Sequence, residues 1–414
     1  MHFGIITPPV PGHLHPFGAL GRELIRRGHR ATVFHMPDLG PRVPAEGLEF
    51  APIGAAICPP GFLAHSLAAI GQLHGLRALR FTISQIRATT EMFFGCAPEA
   101  IRAAGIDALL VDQTEPAGGS IAAHLGIPFV TVCNALALNC EPGVPPPFTP
   151  WNFRTGIAAH LRNRFGYAAA DWVMGPVRRT VARYRKEWKL PPLVSADDSF
   201  SKIAQISQQP PAFDFPRRAL PPSFHYVGPL RSPGPQPIPF PWERLDGRPL
   251  IYASLGTLQT GKRWIFQCFA KACLGLDVQL VIAHGGALEE TAASSLPGHP
   301  IATAYAPQRD LLARASLTLS HAGLNTVLDS LSFGVPVVAV PITFEQPAIA
   351  SRLAWCRAGC VLPLARLTPD RLRGAITRVL GNAEYRECAT AAKKSIEQAG
   401  GVERAADLLE QVLR

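Results

Sequence analysis

The sequence predicts an α/β protein of two lobes, each a doubly wound parallel sheet. Three observations lead there. Short apolar runs alternate with helical stretches along the whole chain, the βαβ pattern of parallel sheets. A proline-crowded tract at residues 209–248 divides the chain near its middle. At 414 residues and 47% hydrophobic, the chain can bury a substantial core on each side of that tract.

Phe3–Thr7 reads as a buried strand. Pro8–His15 is expected as a loop, with Pro16 as the first helical residue, because proline's fixed φ and missing N–H suit that position. The helix runs to about Arg27 and stops at Gly28; Ala31–His35 is the second strand, completing a βαβ unit. Strands at Ala108–Asp112, Phe129–Val132, Ala204–Ser207 and His225–Gly228 finish a first Rossmann-like lobe over residues 1–228. Residues 229–248, densest in proline from Pro229 to Pro241, are expected as a semi-rigid linker. The second lobe, 249–398, carries strands at Leu250–Ser254, Leu280–His284, Ile301–Tyr305, Leu317–Ser320, Val337–Pro341 and Cys360–Pro363. A last helix occupies Val402–Leu413 within residues 399–414.

Residues 305–346 gather the residue types of a ligand site. A helix is expected at Leu324–Phe333, with Leu324, Val327, Leu328 and Leu331 on one face. His321, Gly323, Asn325 and Thr326 therefore cluster at a strand-to-helix turn, where free N–H groups and the positive helix end favour an anion. Asp329 lies one turn past Asn325, about 6 Å along the same face, placed to accept hydrogen bonds from a ribose. Glu345 and Gln346, after the next strand, suit sugar hydroxyls. An anion, a ribose and a sugar together describe a nucleotide sugar.

Tyr305-Ala306-Pro307-Gln308, the run from Ser320 to Asp329, and Phe344-Glu345-Gln346-Pro347 resemble the donor motif of the UDP-dependent glycosyltransferases of the two-lobed GT-B fold. The resemblance implies two lobes facing across a cleft, with acceptor on the first and donor on the second. It implies that Tyr305, Ala306 and Gln308 hold uracil, that His321, Gly323, Asn325 and Thr326 hold the diphosphate, and that Asp329 holds the ribose. Glu345 and Gln346 would hold the sugar, and Ser254, Gly256 and Thr257 would form the loop over the phosphates. Against the family pattern, Tyr305 replaces Trp, Ala322 a common Gly, Asp329 Glu and Glu345 Asp. The last helix is expected to return to the first lobe.

Pro11-Gly12-His13-x-x-Pro16 matches the loop that carries the base in inverting members. His13 follows a strand at the carboxyl edge of its sheet, and its ordinary pKa suits a base near neutrality. Asp112, ending another strand of that sheet, would fix the imidazole tautomer and stabilise it once charged. The family mechanism is metal-independent, with UDP-glucose as co-substrate and no other cofactor. Val111–Gly118, Ala204–Gln208, Asp214–Pro221, Phe224–Arg231 and Ala253–Gln259 further resemble the carotenoid branch, the zeaxanthin glucosyltransferases. That branch implies a lipophilic hydroxylated acceptor, a hydroxycarotenoid. A sterol, polyketide or phenol is an alternative acceptor, and a nucleotide-sugar 2-epimerase or a non-catalytic binding protein is an alternative function.

Two motifs lead elsewhere. His13-x-His15 suggests a metal, but no third ligand is marked nearby. Gly256–Arg263 reads GxxxxGK, but Arg263 stands where a P-loop has the Ser or Thr that ligates magnesium. The nine cysteines lack zinc spacing and are expected as reduced, mostly buried thiols of a cytoplasmic protein. The opening residues have no basic segment of a signal peptide, and no run of apolar residues is long enough to span a membrane. The net charge of +10 favours acidic partners. Residues 151–192 concentrate it, interleaving Arg154, Arg164 and Arg179 among others with Trp151, Phe165 and Trp172. An anionic membrane surface on the inner face suits that mixture. Nucleic acid is not expected, since no recognised module accompanies the charge, and a plain solvated basic face is the third reading.

Overall fold

Thirteen strands in the described residues form two sheets, and every pairing is parallel. The computed structural model describes residues 1–73, 75–234, 236–256 and 262–414, with side chains outside 70–72. The first sheet contains β1 (His2–Ile6), β2 (Arg30–His35), β3 (Glu49–Pro52), β4 (Ala108–Asp112), β5 (Phe129–Cys133), β6 (Gln205–Ser207) and β7 (Phe224–Tyr226), in the order β3-β2-β1-β4-β5-β6-β7. The second contains β8 (Leu250–Ser254), β9 (Gln279–Ala283), β10 (Ile301–Thr303), β11 (Ala315–Ser320), β12 (Val337–Ala339) and β13 (Gly359–Val361), in the order β10-β9-β8-β11-β12-β13. The strand order reverses between β1 and β4 and between β8 and β11. A crevice for ligands opens at the carboxyl ends of such strands.

The central strands are buried along their whole length, which is why they read as continuous apolar runs. β3 escaped that reading: it is a half-exposed edge strand, Glu49-Phe50-Ala51-Pro52, ending in a proline. The helices Phe62–Gln72 and Gly75–Ala103 were also not expected. The second buries Met92, Phe93, Phe94, Ala97 and Ile101 only in its later half, so the helical period is weak at its start.

The first helix spans Pro11–Arg26, starting earlier than Pro16. Val10 is extended and Pro11 takes the first helical position, so Gly12 and His13 belong to the opening turn. Pro16 sits inside the helix and has no N–H for the carbonyl of Gly12, four residues back. That carbonyl is free to accept elsewhere.

The last helix, Gly401–Val412, closes on the first lobe: Val402, Ala405, Ala406, Leu408 and Leu409 join a core containing Leu20, Leu24 and Val227. Arg27 reaches Asp407 at 2.7 Å and Glu410 at 3.2 Å. The segment between β7 and β8 lies along the second lobe, where Phe240, Trp242 and Leu245 pack near Leu250 and Tyr252. A further core is shared, with Leu136 and Phe213 of the first lobe packed among Leu324, Val327, Leu328 and Ile349 of the second. Beside it, fully buried Arg352 donates to Asp214 at 2.9 Å, and Arg217 donates to the other carboxylate oxygen at 2.8 Å. All nine cysteines are free; four are buried, four partly buried, and Cys140 is exposed. In the described residues no helix is long and apolar enough to cross a membrane.

Candidate active site

β1 and β4 pair directly, so the turn after β1 and the end of β4 meet at the order reversal. His13 lies in that turn and Asp112 ends β4. Their side chains form the hydrogen bond expected from sequence, Nδ1 to Oδ2 at 2.8 Å. The Asp112 carboxylate is fully buried. Asn134, just past β5, donates to the same oxygen at 2.9 Å. The backbone N–H and hydroxyl of Thr114 donate to the other at 2.9 and 2.6 Å. Burial works against charge on both partners, but each ion stabilises the other. The His13 pKa therefore ends above its ordinary 6.5, and that of Asp112 ends below the usual carboxylate range. Glu345 and Glu115 add negative potential at the imidazole. Burial, then the charge of Asp112, pushes Glu115 up to about 8. His15 binds Glu46 at 2.5 Å, while His13 binds Asp112. In the described residues no group of three or more His, Cys, Asp or Glu side chains is arranged to hold a metal ion.

In the second lobe, β8 and β11 deliver Ser254, Gly256 and His321 to the matching position. His321 is buried between two glycines. A Cβ on Gly256 would lie 3.0 Å from its Cε1, and one on Gly323 only 2.5 Å from its Nε2. Burial outweighs a hydrogen bond with the Ser254 backbone and lowers the His321 pKa to about 4. The ring is thus neutral at physiological pH. Its buried Nδ1 has no partner in the described residues. Gly323 caps the helix Leu324–Ser332, matching the predicted turn. Ala322 holds φ at +65°, a conformation that costs an alanine about 1–2 kcal/mol, which explains the glycine of the family pattern.

The two halves touch through residues assigned to the donor. Asn325 Nδ2 donates at 2.8 Å to the Gly12 carbonyl freed by Pro16. Glu345 Oε2 accepts from the Leu136 N–H at 3.2 Å. Asp329 is buried, and both of its oxygens are engaged: Oδ1 accepts from Arg231 Nε and Oδ2 from Gln308 Nε2, each at 2.6 Å. Arg231 also donates to Asn325 Oδ1 at 3.0 Å and to Gln208 of the first lobe at 3.2 Å. Gln346 uses its oxygen to accept from Ile342 and Thr343, both at 2.9 Å, which leaves its amide nitrogen for a ligand. Tyr305 is 60% exposed, while Ala306 and Thr326 are buried. Thr257 and most of the GxxxxGK run lie outside the described residues.

Arg231, Asn134, Thr114 and Glu115 were not singled out from sequence. Arg231 falls in the stretch expected as linker, and nothing in the local sequence sets it apart from Arg217, Arg218, Arg244 and Arg248 of the same tract. Asn134 carried a usable signal, a polar residue directly after a buried strand of the same sheet.

Residues 270–407 match the family model described as Erythromycin biosynthesis protein CIII-like, C-terminal domain. The chain is 35% identical to a zeaxanthin glucosyltransferase of Pantoea ananas, over 100% of its own length and 96% of the relative's. It is 36% identical to one of Pseudescherichia vulneris, over 100% and 98%. The crystal structure of the glycotransferase of kitacinnamycin has the same fold, with TM-score 0.78 at 21% identity, covering 100% of this chain and 99% of that one. Likeness of that extent, on a fold whose two sheets present these residues at facing edges, shows that the chain belongs to the UDP-dependent glycosyltransferases of the GT-B fold, in the branch of the zeaxanthin glucosyltransferases.

Proposed function

We propose that this glycosyltransferase moves glucose from UDP-glucose to a hydroxyl of a hydroxycarotenoid such as zeaxanthin, inverting the anomeric centre and using no metal. The observation that carries this reading is the 2.8 Å bond between His13 and Asp112, set where the donor-side residues Asn325 and Glu345 touch the first lobe. With Nδ1–H held by Asp112, His13 keeps its Nε2 lone pair for the acceptor hydroxyl. As that proton moves to Nε2, the acceptor oxygen attacks the anomeric carbon. The bond to UDP breaks on the opposite face, and its electron pair leaves on the diphosphate. A single displacement of this kind inverts the configuration.

Asp112 stabilises the imidazolium that forms. The departing diphosphate meets the N-terminus of the helix Leu324–Ser332 and the Nδ1 of His321, unpartnered among the described residues, whose proton affinity rises from about 4 when an anion binds. Tyr305 offers an exposed ring face to uracil beside Gln308, Asp329 the ribose contact, and Glu345 with the Gln346 amide the sugar contacts. The residues 1–228, 229–248, 249–398 and 399–414 serve as acceptor lobe, linker, donor lobe and return helix.

Incubation with UDP-glucose and a panel of hydroxycarotenoids, sterols and phenols, read by mass spectrometry, tests the acceptor. A β-glucoside formed at an unchanged rate in EDTA is the expected product. Transfer to phenols alone would reject the carotenoid reading. His13→Ala should lose most transfer and keep UDP affinity, and equal turnover by that variant would remove His13 from the mechanism.

A further inference from the structure

The helix Ile157–Val173 turns its small residues inward and its large apolar residues to water. Ala159, Asn163 and Gly166 are buried, and a Cβ on Gly166 would fall 2.7 Å from Trp151 and 2.9 Å from Pro146. On the other side Ile157, Leu161, Phe165 and Trp172 are 81%, 58%, 73% and 82% exposed. At 3.6 residues per turn these four fall within an arc of roughly 80°. Single exposed apolar residues are ordinary, whereas a continuous stripe of large ones marks a contact surface.

The rim of the stripe is basic. Arg164 borders it, Arg154 precedes the helix, and Arg179 lies near the start of the next helix, Gly175–Glu187. All three are exposed, and none has a carboxylate within 4.0 Å in the described residues. The acid closest in sequence to the stripe, Asp171, is held by Arg178.

We propose that this stripe docks on an anionic lipid bilayer. The helix lies in the headgroup plane, with Ile157, Leu161, Phe165 and Trp172 inserted and the three arginines on lipid phosphates. This goes beyond the transferase reading, since none of these residues belongs to the candidate active site. A second copy of the chain fits less well. A helix of 17 residues is about 25 Å long and about 10 Å wide, so it offers roughly 250 Å², against the roughly 800 Å² per partner of a standard interface. A two-fold contact would also bring the arginine rims together, in a protein of net charge +10. Lipid phosphates remove that repulsion.

The full chain is sedimented with vesicles of phosphatidylcholine alone and of phosphatidylcholine mixed equally with phosphatidylglycerol. Binding to the mixed vesicles only, weakened by salt, is the expected result. Phe165→Ser with Trp172→Ser should cut that binding on the order of 100-fold while leaving the melting curve unchanged, because both sites are exposed. Arg154→Gln, Arg164→Gln and Arg179→Gln together should also cost on the order of 100-fold, at roughly fivefold per basic residue. Wild type remaining in the supernatant with both vesicles would overturn the proposal, as would unaltered binding by the Phe165/Trp172 variant. A wild-type dimer in sedimentation equilibrium that this variant makes monomeric would assign the stripe to a second copy instead, and would overturn it too.

Discussion

Asp112→Asn isolates the charge behind His13 with almost no change of shape. The carboxylate accepts from His13 and Asn134 on one oxygen and twice from Thr114 on the other. An asparagine must point its oxygen at His13 and Asn134, since the reverse orientation sets its NH2 against the Asn134 amide nitrogen and the Nδ1–H of His13. In the favourable orientation the NH2 faces the Thr114 N–H, while the Thr114 hydroxyl turns to accept. One buried donor is stranded, so stability should fall by about 1–3 kcal/mol. The tautomer survives, but the imidazolium of the transition state loses its counter-ion. We expect kcat to drop roughly 10²- to 10⁴-fold, or about 3–5 kcal/mol of barrier. Burial lowers the His13 pKa and Asp112 raises it, so removing the charge lets burial prevail. In the wild type, kcat/KM should fall as pH drops through a value above 6.5, where the base becomes protonated. In the variant that acid limb should move to lower pH. Steady-state rates across pH, with UDP affinity from calorimetry and a melting curve to verify folding, make the test. A folded variant with near-wild-type turnover, or with the acid limb unmoved, would refute the role of the ion pair.

Three further outcomes follow from the same geometry. Asp329→Ala should weaken UDP binding by about 1–3 kcal/mol in calorimetry, with an unchanged dissociation constant contradicting the ribose assignment. Asp329→Asn keeps an acceptor for Gln308 and should lose less. Gly323→Ala puts a methyl 2.5 Å from His321 Nε2 at a backbone φ of −65°, so the strain is steric alone. It should cost about 1–3 kcal/mol of stability in a thermal melt and weaken UDP binding; a neutral effect would mean the buried ring is free to move. Arg352→Met leaves Asp214 buried with Arg217 as its only remaining arginine partner. Because Asp214 keeps Arg217 and the Tyr226 hydroxyl and no charge is left unpaired, denaturant unfolding should register a loss of only about 1–3 kcal/mol, and a stabilised variant would show that desolvation of Arg352 outweighs its attraction to Asp214.

Much of this protein is written locally. The apolar runs of β1, β4, β8 and β11, and the stripe Leu324, Val327, Leu328 and Leu331, follow from periodicity, because a strand or helix buries the same residues wherever it docks. The turn holding His321, Gly323 and Asn325 was legible for that reason. Helix starts were less so: with two prolines five residues apart, only the extended backbone at Val10 shows that Pro11 opens the helix and Pro16 frees the Gly12 carbonyl.

What the chain order could not state was adjacency and dielectric. His13 and Asp112 lie 99 positions apart, and Arg231 and Asp329 lie 98 apart; they meet because sheet order and lobe docking bring strand ends together. His321 is neutral once buried, since the lost hydration of a charged ring exceeds what one backbone hydrogen bond returns. The helix Ile157–Val173 is apolar on both sides, so periodicity alone cannot choose its inner face. Only packing against Trp151 and Pro146, where nothing larger than glycine fits at position 166, turns Phe165 and Trp172 outward.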